Sequence, residues 1–273
     1  MDYRFRIASF PGNDHKRVGK NNQDSLYFDR VTVEKTNYTF GVVCDGCSAG
    51  ARNETGAHLM VSYIASEIPM MLQVGVPMEE IPGALFSRCI GYLSAIASMT
   101  SIGDPIKRIN FIINHLLCTI IGFITDNERV IFFSAGDGVL VINDQFIQID
   151  QDNKPRYLGY HLVDRKYLTA KDGIVPDAFM VQTYQMSFIN RFAVCSDGML
   201  PEAAGALWGH TEDKLGVQRA LKVLSLRKLI FKDDCSAIIV EKISASGELV
   251  GSLNSGDGVG LSTEPKGGDH GSS

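Results

Sequence analysis

Three apolar runs in this 273-residue chain each end in Asp-Gly: Phe40-Gly41-Val42-Val43-Cys44-Asp45-Gly46, Phe132-Phe133-Ser134-Ala135-Gly136-Asp137-Gly138, and Phe192-Ala193-Val194-Cys195-Ser196-Asp197-Gly198. One such Asp-Gly is ordinarily a turn and nothing more. Two further acidic sites have the opposite polarity: Asp24 precedes Ser25-Leu26-Tyr27-Phe28, and Asp233-Asp234 precede Cys235-Ser236-Ala237-Ile238-Ile239-Val240. In an antiparallel sheet the end of one strand lies beside the start of its neighbour, so aspartates that close some strands and open others converge on one edge. Glycine after the aspartate lets the backbone carbonyl come close to whatever is bound there.

Gathered carboxylates repel one another, by on the order of 4 kcal/mol for a pair about 4 Å apart at an effective dielectric of 20. Divalent cations remove that penalty. An all-oxygen ligand set selects hard ions, magnesium or manganese rather than zinc, and two such ions roughly 3.5–4 Å apart are a recurrent device for phosphoryl hydrolysis.

The surrounding sequence supplies the scaffold. Runs rich in Val, Ile, Phe and Thr predict strands at Tyr38 to Cys44, Leu117 to Thr125, Val130 to Ala135, Val139 to Ile142, Phe192 to Cys195 and Cys235 to Ile243. Asp126-Asn127 predicts a hairpin between the second and third. Helical spacing joins Ala57, Val61, Ile64, Ile68 and Leu72, and again Leu85, Cys89, Leu93 and Ile96. Asp104-Pro105 has the form of an N-cap followed by proline, with Ile106, Ile109, Ile113 and Leu116 as the apolar face of a third helix. A later helix is expected from about Thr211, carrying Leu215, Leu221 and Leu224. Strand, helices, β-meander, helix and closing strand in that order imply segregated layers of sheet and helix.

Composition excludes several classes. With 45% apolar and 21% charged residues the chain can bury a substantial core. Its net charge of −5, from 31 acidic and 26 basic residues without long blocks, lacks the basic footprint of a nucleic-acid binder. The apolar stretch Ile109 to Ile124 is interrupted by Asn110, Asn114 and His115, and reads as a buried helix followed by a buried strand rather than a membrane span. Met1 to Gly12 contains no apolar core of signal-peptide length, so a cytoplasmic protein with its six cysteines reduced is expected. Cys44 and Cys47 form a C-x-x-C, but no second pair completes a zinc site. Residues 244–273 hold eight of the 27 glycines and are expected to be a disordered tail after a single domain of residues 1–243.

At its acidic residues the chain resembles the type-2C metal-dependent serine/threonine protein phosphatases, the PPM family, and in Gly12-Asn13-Asp14-His15 a divergent bacterial branch of it. The family's Asn-Glu-Asp resembles Asn22-Gln23-Asp24, and its Asp-Gly with a small-residue loop resembles Asp45-Gly46-Cys47-Ser48-Ala49-Gly50. Its Gly-Asp-Ser-Arg resembles Gly136-Asp137-Gly138-Val139, its Ser-Asp-Gly is similar to Ser196-Asp197-Gly198, and its closing Asp-Asp/Asn-x-Thr to Asp233-Asp234-Cys235-Ser236. The resemblance implies an α+β fold, a four-layer α/β/β/α sandwich of two antiparallel sheets flanked by helices. It implies Mn2+ or Mg2+, two per site: Asp45 bridging, Gly46 offering its carbonyl, Asp24 acting through water, Asp197 and Asp233 on the other ion, and Asp137 at a third, looser one. It also implies a phosphoprotein substrate, with a serine/threonine kinase as the natural partner.

Where many members carry arginine, five residues before the first aspartate, this chain has Gly19, which leaves Arg17 and Lys20 as candidates for the phosphate. Cys47 stands where some relatives carry a histidine, leaving His15 and His58 as candidate general acids. Two rival readings share the pattern: a catalytically silent binding module of the same fold, and a two-metal nuclease, which the acidic balance disfavours. The segment Asp150 to Thr183 reads equally as a substrate-side flap or a long connection.

Overall fold

The computed structural model describes residues 2–100, 102–149, 155–168, 174–209, 215–228 and 231–243. The glycine-rich tail therefore lies outside the described residues, as does part of the segment read as a flap.

Two five-stranded antiparallel sheets pack face to face. The first has the order β1 (Asp2–Phe10), β10 (Cys235–Ile243), β9 (Arg191–Cys195), β6 (Gly138–Ile142), β7 (Gln145–Ile149). The second runs β2 (Asp24–Val33), β3 (Thr36–Asp45), β4 (Ile120–Thr125), β5 (Arg129–Ala135), β8 (Met180–Gln185). Side chains alternate across each strand. On β3, Val43 points between the sheets while Phe40, Val42 and Cys44 point outward, under helices α2 (Glu54–Gln73), α3 (Ile81–Thr100) and α4 (Pro105–His115). On β10, Ile238 and Val240 face inward and Cys235, Ala237 and Ile239 outward, under α5 (Pro201–Ala204) and α6 (Gly216–Lys228). Every layer boundary is thus a hydrophobic core, and the order of layers is α/β/β/α. This also explains why the central strands read as unbroken apolar runs: both of their faces are buried.

The hairpin at Asp126-Asn127 forms as expected, with Asn127 at φ 70° and Thr125 opposite Val130. Asp104 caps α4, its Oδ1 accepting from the N–H groups of Ile106 and Lys107 at 3.1 and 3.0 Å. The expected apolar face of α4 holds at Ile109, Ile113 and Leu116 and fails only at its first turn. Ile106 is 52% exposed, whereas Ile112 is fully buried, because the helix packs by its C-terminal half and its first turn protrudes. In α6, Leu221 enters the core and Leu224 packs against it as expected, Val217 joins them and Leu215, just before the helix, is exposed; the expected start near Thr211 lies outside the described residues. Ile112→Ala should accordingly cost about 2–4 kcal/mol and Ile106→Ala within about 0.5 kcal/mol, a difference that urea unfolding of the two variants measures directly.

The described part of the Asp150 to Thr183 segment is packed rather than lid-like. Tyr157, Leu158, Tyr160, Val163 and Phe179 are buried with the residues of α3 and α4 in the outer core. Cys44 lies in the same core, and all six cysteines are free thiols, so the C-x-x-C is not a bridge. Among the described residues no helix is long and apolar enough to cross a membrane.

Candidate metal centre

Strand register alone brings the acidic residues to one end of the sandwich. Asp24, the first residue of β2, is the direct cross-strand partner of Asp45, the last of β3. In the other sheet Cys195 pairs with Ala237, so Asp197 leaves β9 where Asp233 and Asp234 lead into β10. The sheets meet at that end: the Ser196 hydroxyl on the β9 side donates to Asp24 Oδ2 on the β2 side at 2.8 Å and accepts from the Ser236 N–H at 2.9 Å. Thr119, at the mouth of β4, holds Asp45 by its backbone, donating its N–H to the Asp45 carbonyl at 2.8 Å.

Burial governs the electrostatics, and crowding adds to it. Burial pushes the Asp24 carboxyl up to about 7; Ser196, Ser236 and Asp45 hydrogen bonds oppose the rise and the Asp234 charge adds to it. Asp45 is raised well above the usual carboxylate range, by burial and then by the charges of Asp24, Asp197 and Asp233 and a hydrogen bond shared with Asp197. Asp233 is raised as well, by burial first and by Asp197, with His15 pulling the other way. Asp24 Oδ1 is buried without a hydrogen-bond partner. An oxygen-only set of buried carboxylates whose charged forms are disfavoured, with an orphaned buried oxygen among them, is a site that cations would complete. The residues present fit hard divalent ions.

Not every predicted residue joins the cluster equally. Asp137 lies at the same end, in the link between β5 and β6, but it is not among the leading influences on Asp45. His15 is 7% exposed, its Nδ1 2.8 Å from Asp234 Oδ1 and 3.8 Å from Asp233 Oδ1. His58 is exposed on α2 with Nδ1 3.0 Å from the Ser25 hydroxyl. Arg17 is exposed and 3.8 Å from Asp14, whereas Lys20 reaches the loop after Asp45, donating to the Ser48 carbonyl at 3.2 Å.

Sequence reasoning missed Asp234. It is 1% exposed, accepts from the Gly12 N–H at 2.7 Å and the Gln23 N–H at 2.5 Å, and so ties the chain before α1 (Asn13–Val18) and the residue before Asp24 to the start of β10. Among the described residues, His15, Asp233 and Asp234 form one group whose potential ligand atoms all lie within 4.8 Å of one another. Asp234 is nevertheless a poor choice of ligand, since both its oxygens already accept from backbone N–H groups. We read it as a structural hub that sets the positions of Asp24 and Asp233. The paired acidic residues at 233 and 234 were the available signal, but only the fold shows which of them faces inward.

Two glycines are steric requirements. A Cβ at Gly198 would lie 1.9 Å from the Asp234 carbonyl oxygen, and one at Gly46 would lie 2.6 Å from the Asn53 backbone. At Gly46 the close approach is therefore to the residue that opens α2.

A sequence search of curated proteins finds no match. Solved structures of the same fold include a bacterial serine phosphatase (TM-score 0.59, 15% identity, 88% of this chain and 98% of that one). They also include the serine/threonine phosphatase Stp1 from Staphylococcus aureus (TM-score 0.57, 15% identity, 89% and 96%). A third is the catalytic domain of the serine/threonine protein phosphatase PstP in complex with two manganese ions (TM-score 0.55, 18% identity, 88% and 97%). The family model described as Protein phosphatase 2C matches residues 11–216, more than half of the sequence and a span that takes in Asp24, Asp45, Asp137 and Asp197, and the chain belongs to that family.

Proposed function

We propose that the protein hydrolyses phosphoserine and phosphothreonine in proteins, using two manganese or magnesium ions held by Asp24, Asp45, the Gly46 carbonyl, Asp197 and Asp233. The observation that carries this reading is the convergence of Asp24, Asp45, Asp197 and Asp233 at one end of the sandwich, with Asp24 directly opposite Asp45 and its Oδ1 buried without a partner. A divalent pair there would lower the pKa of a water and offset charge on the phosphoryl oxygens. PstP, which shares the fold, was crystallised with two manganese ions.

The chain's own groups prepare that site. Thr119 fixes the backbone of Asp45 from both directions, with its Oγ1 3.3 Å from the Asp45 N–H. Ser196 engages Asp24 Oδ2 and leaves Oδ1 for a ligand or its water. Asn53, fully buried, donates to the Cys47 carbonyl at 2.9 Å and holds the loop after Gly46. Of the candidate phosphate binders, Lys20 is the one fastened to that loop. His15 is committed to Asp234, and His58 meets Ser25, whose side chain lies on the opposite face of β2 from Asp24, so neither histidine is assigned as the proton donor. Asp137 would serve a third ion, if one binds, from the β5–β6 link.

Purified protein should hydrolyse an aryl phosphate and a phosphothreonine peptide when manganese is added, and excess chelator should reduce turnover to background. Binding of manganese with no turnover on any phosphopeptide would shift the reading to a phosphatase-like binding module. Absence of manganese binding by calorimetry would remove the site altogether.

A further inference from the structure

Beside α1 lies an open groove of about 430 Å3, lined by Asn13, Asp14, Lys16, Arg17 and Lys232. Three cations face one carboxylate there, in a chain whose net charge is −5. The walls are fixed: the Asn13 and Asp14 N–H groups donate to the Phe231 and Lys232 carbonyls, both at 3.0 Å. Buried His15 pins α1 from beneath, against Asp234. The groove is one residue in the chain from the candidate site at two points: Lys232 precedes Asp233, and Lys16 follows His15, whose Nδ1 is 3.8 Å from Asp233. Its one internal pair, Arg17 with Asp14 at 3.8 Å, has side chains 79% and 61% exposed. A pair so open to water is weak and is readily exchanged for a carboxylate from outside.

We propose that this groove receives acidic residues flanking the phosphorylated residue, so that the protein prefers phosphopeptides with Asp or Glu beside the phosphate. The inference deepens the phosphatase reading and rests on it for the position of the phosphate. A small patch of three cations next to a phosphate site suits a short acidic peptide segment; a nucleic acid would call for a longer basic track.

The test is fluorescence anisotropy with the full chain and manganese. The probes are two labelled peptides carrying a non-hydrolysable phosphonate in place of phosphothreonine, one flanked by Glu and one by Lys. At about 50 mM salt the Glu peptide should bind about tenfold more tightly, the sum of a few exposed ion pairs, and the ratio should shrink at about 300 mM salt. The double variant K16E/K232E should invert the preference; the single variant K232Q, a milder change on an exposed side chain, should reduce it. Equal affinities, no binding of either peptide, a preference that survives K16E/K232E, or displacement of the Glu peptide by a short single-stranded DNA as efficiently as by itself would each overturn the proposal. Aryl phosphate hydrolysis on the same preparation separates the two ideas. Turnover without a Glu preference removes the groove and keeps the reaction, while a Glu preference without turnover does the reverse.

Discussion

Asp45→Asn will eliminate manganese-dependent turnover and at the same time make the metal-free protein more stable. The two effects have one cause. Asp45 faces Asp24 across the strand pair, and burial first and then Asp24, Asp197 and Asp233 raise its pKa, so in the absence of cations its carboxylate is held where charge is unwelcome. An amide of the same shape removes the repulsion. If half of a close like-charge interaction is relieved, metal-free stability rises by on the order of 2 kcal/mol, or roughly 4–8 °C in Tm for a domain of this size. On the proposed reading, the ligand shared by the two ions is lost with it. Changes in groups that merely orient metal ligands cost about 10–100-fold, so losing this one should lower kcat/KM at least about a hundredfold. Differential scanning calorimetry in chelator and an aryl phosphate assay in manganese read the two halves. An active Asn variant, or one that is less stable without metal, would remove Asp45 from the centre of the site.

A second large effect concerns pH. Burial raises Asp24 from its ordinary value of 3.8 to about 7. Between roughly pH 4 and pH 7 the folded state therefore holds a proton that the unfolded chain has released, and stability must fall as pH rises through that window. This is opposite to the usual behaviour of ion-paired carboxylates, whose contribution is lost on acidification. The full shift corresponds to on the order of 4 kcal/mol. Asp24→Asn should flatten the slope, and the difference between wild type and variant isolates this group from exposed pairs such as Asp104 with Lys107, which act in the other direction. Saturating manganese should also remove the slope, because cations stabilise the ionised form. Melts in chelator at acid and neutral pH decide the matter: a wild-type Tm that climbs relative to Asp24→Asn between pH 4.5 and 7.5 would contradict the sign.

The site was legible in outline because its residues obey a rule of topology. Aspartates at strand ends and strand starts must meet in an antiparallel sheet, and Asp24 opposite Asp45 is that rule realised in one residue pair. Its supporting groups were not legible. Asp234, Ser196, Thr119 and Asn53 act through distances set by other parts of the chain: Asp234 reaches Gln23 across 211 positions and Ser196 reaches Asp24 across 172. No local pattern distinguishes Asp233, half exposed at the metal centre, from Asp234, buried beneath it. The histidines divide in the same way, with His15 buried by the packing of α1 and His58 exposed on α2.

For the fold, the sequence alone determined the central strands, the three helices that follow β3 and the turn at Asp126-Asn127, because residues buried on both faces of a sheet, or along one side of a helix, leave an apolar signal that needs no context. Tertiary structure decided the rest. The strands that were missed or seen only at their start, β1, β2, β7 and β8, are the outer strands of the two sheets, where side chains meet solvent and the apolar signal is diluted. The burial of Ile112 and the exposure of Ile106 on α4 were likewise settled by what the helix packs against. Which carboxylates crowd together, and which one is pinned by hydrogen bonds instead, depends on contacts between residues far apart in the chain, and those exist only once the two sheets have closed on each other.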